Sequence, residues 1–197
     1  MSPLVSDEVW AFALVAGLFV AILCYQTWTG YRDIDRREDD HVDDRHSDAF
    51  FVVITITCNT TATAWALWVD IGVIGARPLV LWLGVALMIA GFAFRAWARR
   101  VLGRWFHPVV TAKAEHDLIR DGPYRWLRHP IYLGILVSYI GFGVALGTWP
   151  SIALTSVPAL VGLLYVIHVE ESVLAEQLGE SYDAYVADTN RFIPGVW

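Results

Sequence analysis

The sequence "IYLGILVSYIGFGVALGTWPSIALTSVPALVGLLYVIH", from Ile131 to His168, holds two long apolar runs separated by one short break. The break is "GTWPS", Gly147 to Ser151, where glycine and proline together favour a tight turn. Each run has roughly the length that an α-helix needs to cross about 30 Å of hydrocarbon. This stretch therefore predicts two antiparallel membrane-spanning helices joined by a hairpin.

The rest of the chain has the same apolar character. Of its 197 residues, 56% are hydrophobic and 10 are tryptophans, and the mean hydropathy is +0.48, which is typical of a polytopic membrane protein. The two runs above cover about 130–148 and 150–168. Three further apolar runs, at about 8–28, 50–70 and 78–98, bring the predicted number of spans to five. We therefore predict an all-α, polytopic integral membrane protein.

The basic residues predict the orientation of the spans. Of the 14 lysines and arginines, all except Arg77 fall in segments on one side of the five-span arrangement. The positive-inside rule makes that side cytoplasmic, so the N-terminus is expected outside and the C-terminus in the cytoplasm. The first basic residue is Arg32, so no positive region precedes the first span and no cleavable signal is predicted.

Charge and cysteine content argue against other partners. The net charge is −6 and no basic stripe is present, which argues against binding to nucleic acid. Cys24 and Cys58 both lie in apolar runs and predict neither a metal cluster nor a disulfide framework. The acidic segment Tyr31–Asp48 contains two histidines, but no ligand spacing repeats in it. We interpret it as a solvated loop and predict no metal site.

Two polar blocks flank the last two spans. The first is "HPVVTAKAEHDLIRDGPYRWLRHPIYLG", His107 to Gly134, and the second is "HVEESVLAEQLGESYDAYVADTNRFIPG", His168 to Gly195. In one interpretation they are interface chemistry, with arginines as topology anchors and aromatic residues at the membrane surface. In that case Pro130 simply begins a helix, where its missing N–H costs nothing.

In the other interpretation the first block binds a ligand. A helix that begins at Pro130 has His129 at its N-cap and free backbone N–H groups that favour an anion. Arg128 adds positive charge, and Tyr124 and Tyr132 add ring faces and hydroxyls. This combination predicts a site for a small ligand that carries a carboxylate and a flat ring.

The second block supplies negative charge. Glu170 and Glu171 follow the last span, and Val166 shares a helix face with Glu170. In one interpretation the two acids lie at the membrane–water interface, where the helix leaves the membrane. In the other, one of them faces inward and holds a cationic group. Gly179 is expected to end this helix, and Ser181–Tyr185 to begin a short amphipathic one.

Together the blocks resemble the isoprenylcysteine carboxyl methyltransferase family and the related membrane phospholipid methyltransferases. The resemblance covers roughly Leu102 to Pro194, through "HDLIRDGPYRWLRHPIYLG", "EE", "LGESYDAY" and "RFIP" in that order. It implies that S-adenosylmethionine binds in a C-terminal cytoplasmic pocket and leaves as S-adenosylhomocysteine. It also implies a methyltransferase core at 102–197, after three N-terminal spans at 1–101 that include a charged loop at 29–49.

The resemblance also implies site residues. Those expected to form the cofactor pocket are His116, Asp117, Leu118, Ile119, Tyr124, His129, Pro130, Ile131, Tyr132 and Glu170. Glu170 occupies the position of the family's cofactor-contacting glutamate and is expected to stabilise the cationic donor. Arg128 and Glu170 are the residues predicted to be catalytic.

One position departs from the family pattern. Members that act on a prenylcysteine carboxylate have an arginine four residues before that glutamate, where this chain has Val166. We therefore expect Val166 to contact a lipidic or apolar methyl acceptor other than a prenylcysteine carboxylate. Two alternatives are an NADPH-dependent reductase of the sterol-reductase type, which shares an Arg-His-Pro-x-Tyr element, and a non-enzymatic membrane protein. The "EE" element favours the methyltransferase.

Overall fold

The computed structural model describes residues 9–34, 45–103 and 119–192. Over these ranges it is all-helical and has no β-strand, which confirms the predicted all-α class. A 3-10 helix at Gly122–Arg125 precedes the fourth α-helix. The α-helices are α1 (Val9–Ile34), α2 (Arg45–Trp68), α3 (Arg77–Leu102), α4 (Pro130–Ala145), α5 (Trp149–Leu178) and α6 (Glu180–Asp188).

The five long helices occupy the five predicted apolar runs but differ in length. Within the described residues, α3 (26 residues) and α5 (30 residues) are long and apolar enough to cross a membrane. The apolar stretch Ala13–Tyr25 in α1 and the whole of α4 are shorter. α4 has 16 residues, about 24 Å of helix, because the chain turns at Gly147, whose φ is 73°. Five complete crossings therefore stay a prediction.

Glycines bring α3 and α4 into direct backbone contact. A Cβ built on Gly84 would lie 2.3 Å from the backbone nitrogen of Ala145. One built on Gly91 would lie 2.6 Å from the carbonyl oxygen of Gly134, and one on Gly141 would lie 2.8 Å from that of Gly84. No side chain fits at these distances, so the sequence's two glycine pairs face each other. In the sequence, Gly84 and Gly91, like Gly134 and Gly141, lie seven residues apart on one helix face, which predicts a close helix contact. The contact between α3 and α4 confirms that prediction.

The connections at one end of the bundle are joined by backbone hydrogen bonds. The N–H of Ile74 donates to the carbonyl of Gly147 at 2.9 Å, and the N–H of Trp149 donates to the carbonyl of Gly72 at 2.9 Å. The α2–α3 connection and the α4–α5 hairpin therefore lie at the same end, as the five-span arrangement requires. The side of the membrane that this end faces stays a prediction.

The outer faces of α3 and α5 expose large apolar side chains. Leu79 is 70% exposed, Trp82 60% and Val161 61%, although each lies within a long helix. Such surfaces are unfavourable in water and are the normal surface of a helix in lipid. They support the interpretation of the protein as a membrane protein.

Candidate active site

The C-terminal segment lies along the segment that precedes α4. The N–H of Asn190 donates to the carbonyl of Trp126 at 2.9 Å, and the N–H of Arg128 donates to the carbonyl of Asn190 at 2.9 Å. The N–H of His129 then donates to the carbonyl of Arg191 at 3.3 Å. These three bonds bring together the two polar blocks that the sequence places far apart.

Helix α6 is fixed to the same segment by side-chain contacts. The hydroxyl of Tyr185 donates to the carbonyl of Tyr124 at 3.0 Å. The Nη1 of Arg128 donates to the carbonyls of Val186, at 3.1 Å, and Thr189, at 2.6 Å. Arg128 therefore satisfies carbonyls at the C-terminal end of α6 that the helix itself leaves without donors.

The position of α6 depends on the turn that precedes it. α5 ends at Leu178 and α6 begins at Glu180, so Gly179 ends one helix and precedes the next, as the sequence predicted. Gly179 has φ 51°, a conformation that glycine adopts more easily than other residues, and its N–H donates to the carbonyl of Ala175 at 3.1 Å.

His129 lies between two carboxylates of α5. It is the N-cap residue of α4 and only 6% exposed. Its Nδ1 lies 3.3 Å from Oε2 of Glu170, and its Nε2 lies 3.3 Å from Oε1 of Glu171. The same Glu171 oxygen accepts a hydrogen bond from Nε of Arg128 at 3.0 Å, and its other oxygen pairs with Arg191. The centre of the site is thus a buried cluster of two acids and three basic groups.

The two acids determine the charge of His129. Burial lowers the pKa of His129, but hydrogen bonds to Glu170 and Glu171 and the charges of both acids outweigh burial and raise it above its usual value. The imidazole therefore keeps its second proton to higher pH than an ordinary histidine. In that form both ring nitrogens are donors, which suits a ring between two carboxylates.

Two buried phenols lie near this cluster. Tyr124 and Tyr182 have buried hydroxyls with no hydrogen-bond partner among the described residues. Burial raises the pKa of both phenols, and the charges of Glu170 near Tyr124 and of Glu171 near Tyr182 raise it further. Both hydroxyls therefore stay neutral and remain able to donate a hydrogen bond.

The first turn of α4 carries the next predicted residues. Pro130 begins the helix and is buried, as predicted, and Ile131 and Tyr132 follow it. The rings of Tyr132 and His129 stack, with their centroids 5.7 Å apart and their planes 21° apart. The structure therefore places all four residues around one helix N-terminus.

Of the other predicted residues, some lie within the described part of the chain and some lie outside it. Ile119 is the first described residue of its segment and is partly exposed, and Val166 lies on α5, one turn before Glu170. Three predicted cofactor residues lie outside the described residues: His116, Asp117 and Leu118. Seven of the ten predicted cofactor residues therefore lie within the described residues, and the cofactor role of all ten stays a prediction.

Two residues at the centre of the site are not among the predicted site residues. The first is Glu171, whose side chain is more buried than that of Glu170, at 10% exposed against 27%. The second is Arg191, which pairs with Glu171. The doubled glutamate was the available signal, because two adjacent acids beside one buried histidine can bind both of its ring nitrogens.

Arg128 has contacts that bear on its predicted catalytic role. Its guanidinium binds Glu171 and two backbone carbonyls, so it holds α5 and α6 against the segment before α4. These contacts favour a positioning role, and the catalytic role stays a prediction.

Comparison with known proteins identifies relatives of both sequence and fold. Residues 79–181 match the model of the phospholipid methyltransferase family. The chain is 34% identical, over 129 residues, to a protein-S-isoprenylcysteine O-methyltransferase of Saccharomyces cerevisiae, which covers 60% of this chain and 51% of that protein. It is 28% identical, over 146 residues, to the nickel-cobalt-cadmium resistance protein NccN of Alcaligenes xylosoxydans xylosoxydans, which covers 73% of this chain and 62% of that protein.

The chain thus spans about half to three fifths of the length of these curated relatives. A solved structure, the eukaryotic intramembrane Ras methyltransferase ICMT (isoprenylcysteine carboxyl methyltransferase), has the same fold. Its TM-score is 0.64 at 20% sequence identity, and the alignment covers 98% of this chain and 70% of that one. The similarity to isoprenylcysteine methyltransferases recognised in the sequence is confirmed. The family match extends over more than half of the sequence, and the chain belongs to the phospholipid methyltransferase family.

Proposed function

We propose that this protein is an integral membrane methyltransferase that transfers a methyl group from S-adenosylmethionine to a lipidic or apolar small-molecule acceptor. The observation that carries the proposal is the pair formed by the buried His129 and the half-buried Glu170 at the start of α4. It lies close to the Tyr124 hydroxyl, which has no hydrogen-bond partner among the described residues. Family membership gives the reaction class, and this arrangement gives the residues that would bind the donor.

The residues present fit S-adenosylmethionine. An unsatisfied buried hydroxyl costs about 1–3 kcal/mol. The hydroxyls of Tyr124 and Tyr182, which have no partner in the described part of the chain, are therefore suited to a bound group that accepts from them. They would donate to the carboxylate of the cofactor. Glu170, whose Oε2 is buried and lies beside His129, would accept from its ammonium group or a ribose hydroxyl.

The cofactor supplies an electrophilic methyl group on a positively charged sulfur. The chain's own residues would supply alignment, exclusion of water and a favourable field. Glu170 places a negative charge where it stabilises a cationic donor, and His129 fixes that carboxylate through Nδ1. No residue needs to act as a strong base for this role. Alignment alone can contribute up to about 7–11 kcal/mol to such a reaction.

The position of the site between two phases explains its composition. The donor is charged and arrives from water, whereas an apolar acceptor arrives from the bilayer. We propose that five spans place the N-terminus outside and the site at the cytoplasmic surface, because nearly all basic residues lie on that side. The cluster around His129 would then lie at the inner membrane–water interface.

Val166 limits the class of acceptor. It lies one helical turn before Glu170, so the two side chains share one face of α5. A carboxylate that enters from the bilayer needs a paired cation to offset several kcal/mol of desolvation. Valine offers none, and the guanidinium of Arg128 is already bound to Glu171. We therefore propose a neutral, amine or thiol acceptor with an apolar body.

Isothermal titration calorimetry of the purified full chain in detergent tests the proposal. We expect S-adenosylmethionine and S-adenosylhomocysteine to bind and NADPH not to bind. Binding of NADPH alone would contradict the proposal and favour a membrane reductase. The absence of binding by all three would contradict it as well and favour a non-enzymatic role.

A further inference from the structure

We infer that Glu171 is a positioning residue, which acts on the donor site through His129 and does not itself contact the ligand. This inference rests on the proposed function, since it assigns separate roles to the two glutamates of the same site. Glu170 would face the ligand, and Glu171 would hold the histidine that holds Glu170.

The first argument is that the carboxylate of Glu171 is fully engaged by protein groups. Its Oε1 lies 3.0 Å from Nε of Arg128 and 3.3 Å from Nε2 of His129, and its Oε2 pairs with Arg191. Its side chain is only 10% exposed. A carboxylate that is enclosed by three basic groups is poorly placed to bind the cationic part of a ligand.

The second argument is geometric and concerns His129. With Nε2 held by Glu171, the imidazole directs Nδ1 to Oε2 of Glu170, at 3.3 Å. The ring of Tyr132, stacked at a centroid distance of 5.7 Å, restrains a face of the imidazole. The orientation of Glu170 therefore depends on Glu171 through a single shared ring.

The third argument links Glu171 to the C-terminal segment. Arg191 pairs with Glu171 through its side chain, and its backbone carbonyl accepts the N–H of His129 at 3.3 Å. Docking of this segment and orientation of the imidazole are therefore parts of one buried network. In such networks the contribution of one member depends on the others, so pairs of substitutions are not additive.

The first experiment needs no ligand. Histidine NMR of the full chain in detergent follows the protonation of His129, whose signal is assigned by its loss in His129→Gln. Glu171→Gln removes one of the two charges that hold the proton, and we expect the titration midpoint to fall by about one pH unit. The control Arg120→Gln, which removes the exposed pair with Asp188, should leave the midpoint unchanged. An unchanged midpoint in Glu171→Gln would overturn the inference.

Several charged or polar groups surround the imidazole and bear on this titration. They are Glu170, Glu171, Arg128, Arg191 and Tyr132.

The second experiment is a double-mutant cycle on the affinity for S-adenosylhomocysteine. We expect Glu171→Gln to weaken binding about tenfold alone and less than about twofold in the His129→Gln background, because it acts through that ring. Equal losses in both backgrounds would mean direct contact with the ligand and would overturn the inference. If Glu171→Gln does not fold, Arg191→Gln goes through the same cycle with the same criterion.

The two experiments separate this inference from the proposed function. A wild-type protein that binds no S-adenosylhomocysteine refutes the proposed function. The NMR titration still decides whether Glu171 positions His129 in that case.

Discussion

The Nδ1 atom of His129 lies 3.3 Å from Oε2 of Glu170, although His129 is the N-cap residue of α4 and Glu170 lies in the C-terminal third of α5. The contact crosses the hairpin that joins these two helices. It forms because the polar ends of both helices lie at the end of the bundle opposite the Gly147 turn. This contact joins the two blocks on which the proposed function depends, together with the backbone hydrogen bonds between the C-terminal segment and the segment before α4.

Loss of this contact should weaken donor binding. We expect His129→Ala, Tyr132→Ala and Glu170→Gln each to cost about 1.5–3 kcal/mol, or roughly tenfold or more in affinity for S-adenosylhomocysteine, because each removes a contact around a charged group. Calorimetry in detergent measures the change. Glu176→Gln is a matched control, since Glu176 is exposed on the same helix. Unchanged affinity in all three variants would leave only an interface role for these residues.

Val166 should determine which acceptors react. We expect the wild-type protein to methylate prenylcysteine analogues poorly or not at all, because the acceptor carboxylate would lack a cation. In Val166→Arg, a bidentate pair with that carboxylate becomes available and activity should appear. A methyl-transfer assay with labelled S-adenosylmethionine compares the two proteins. Robust wild-type turnover that Val166→Arg abolishes would refute the argument.

The raised pKa of His129 predicts how stability depends on pH. The protonated imidazole is favoured in the folded state, so its contribution is fully present below the unfolded pKa of about 6.5 and is lost as pH rises through the higher folded value. Thermal unfolding in detergent, measured at several pH values, should give a higher unfolding midpoint for the wild type than for His129→Gln at about pH 6. The difference between the two midpoints should shrink toward about pH 9. A difference that grows with pH would contradict the raised pKa.

The glycine contact between α3 and α4 should tolerate no side chain. In Gly134→Ala the new methyl would lie 2.7 Å from the carbonyl oxygen of Gly91, so we expect a loss of about 1–3 kcal/mol in stability, or loss of folding. The control is Gly17→Ala in α1, where a Cβ meets nothing within 4 Å. Thermal unfolding compares both variants with wild type. Equal stability of the two variants would show that the helices lie further apart.

The proposed orientation is testable by cysteine labelling after Cys24 and Cys58 are replaced. Ala76→Cys lies in the connection between α2 and α3, and Ala184→Cys lies on α6, and both positions are exposed. A membrane-impermeant maleimide added to intact cells should label position 76 and not position 184, because the positive-inside rule places α6 in the cytoplasm. The opposite pattern would reverse the orientation.

The features that the sequence predicted correctly depend on local chemistry. Proline fixes the first residue of α4 at Pro130, Gly147 forms the turn that follows α4, and Gly179 ends α5. The spacing of the glycines predicted a close helix contact, because seven residues nearly complete two helical turns, but it did not predict that α3 and α4 make it. Each of these signals acts within one element or between neighbouring turns.

The features that were missed depend on tertiary structure. The pairing of Glu171 with Arg191 follows from a backbone contact between segments some 60 residues apart, for example from Asn190 to Trp126, which no local pattern shows. The three-way contact of Arg128 depends on the same docking. The sequence shows that the two blocks are polar, but it does not show which of two adjacent acids turns inward.

The glycine-lined seam between α3 and α4 also restricts the path of the acceptor. Carbon atoms of a hydrocarbon tail keep about 3.5–4.0 Å from their neighbours, and a carbon built on Gly91 would lie 2.6 Å from the backbone of α4. A tail cannot slip between these two helices while they remain packed. The acceptor that we propose would therefore have to reach the His129 end of the bundle by a path that does not pass between α3 and α4.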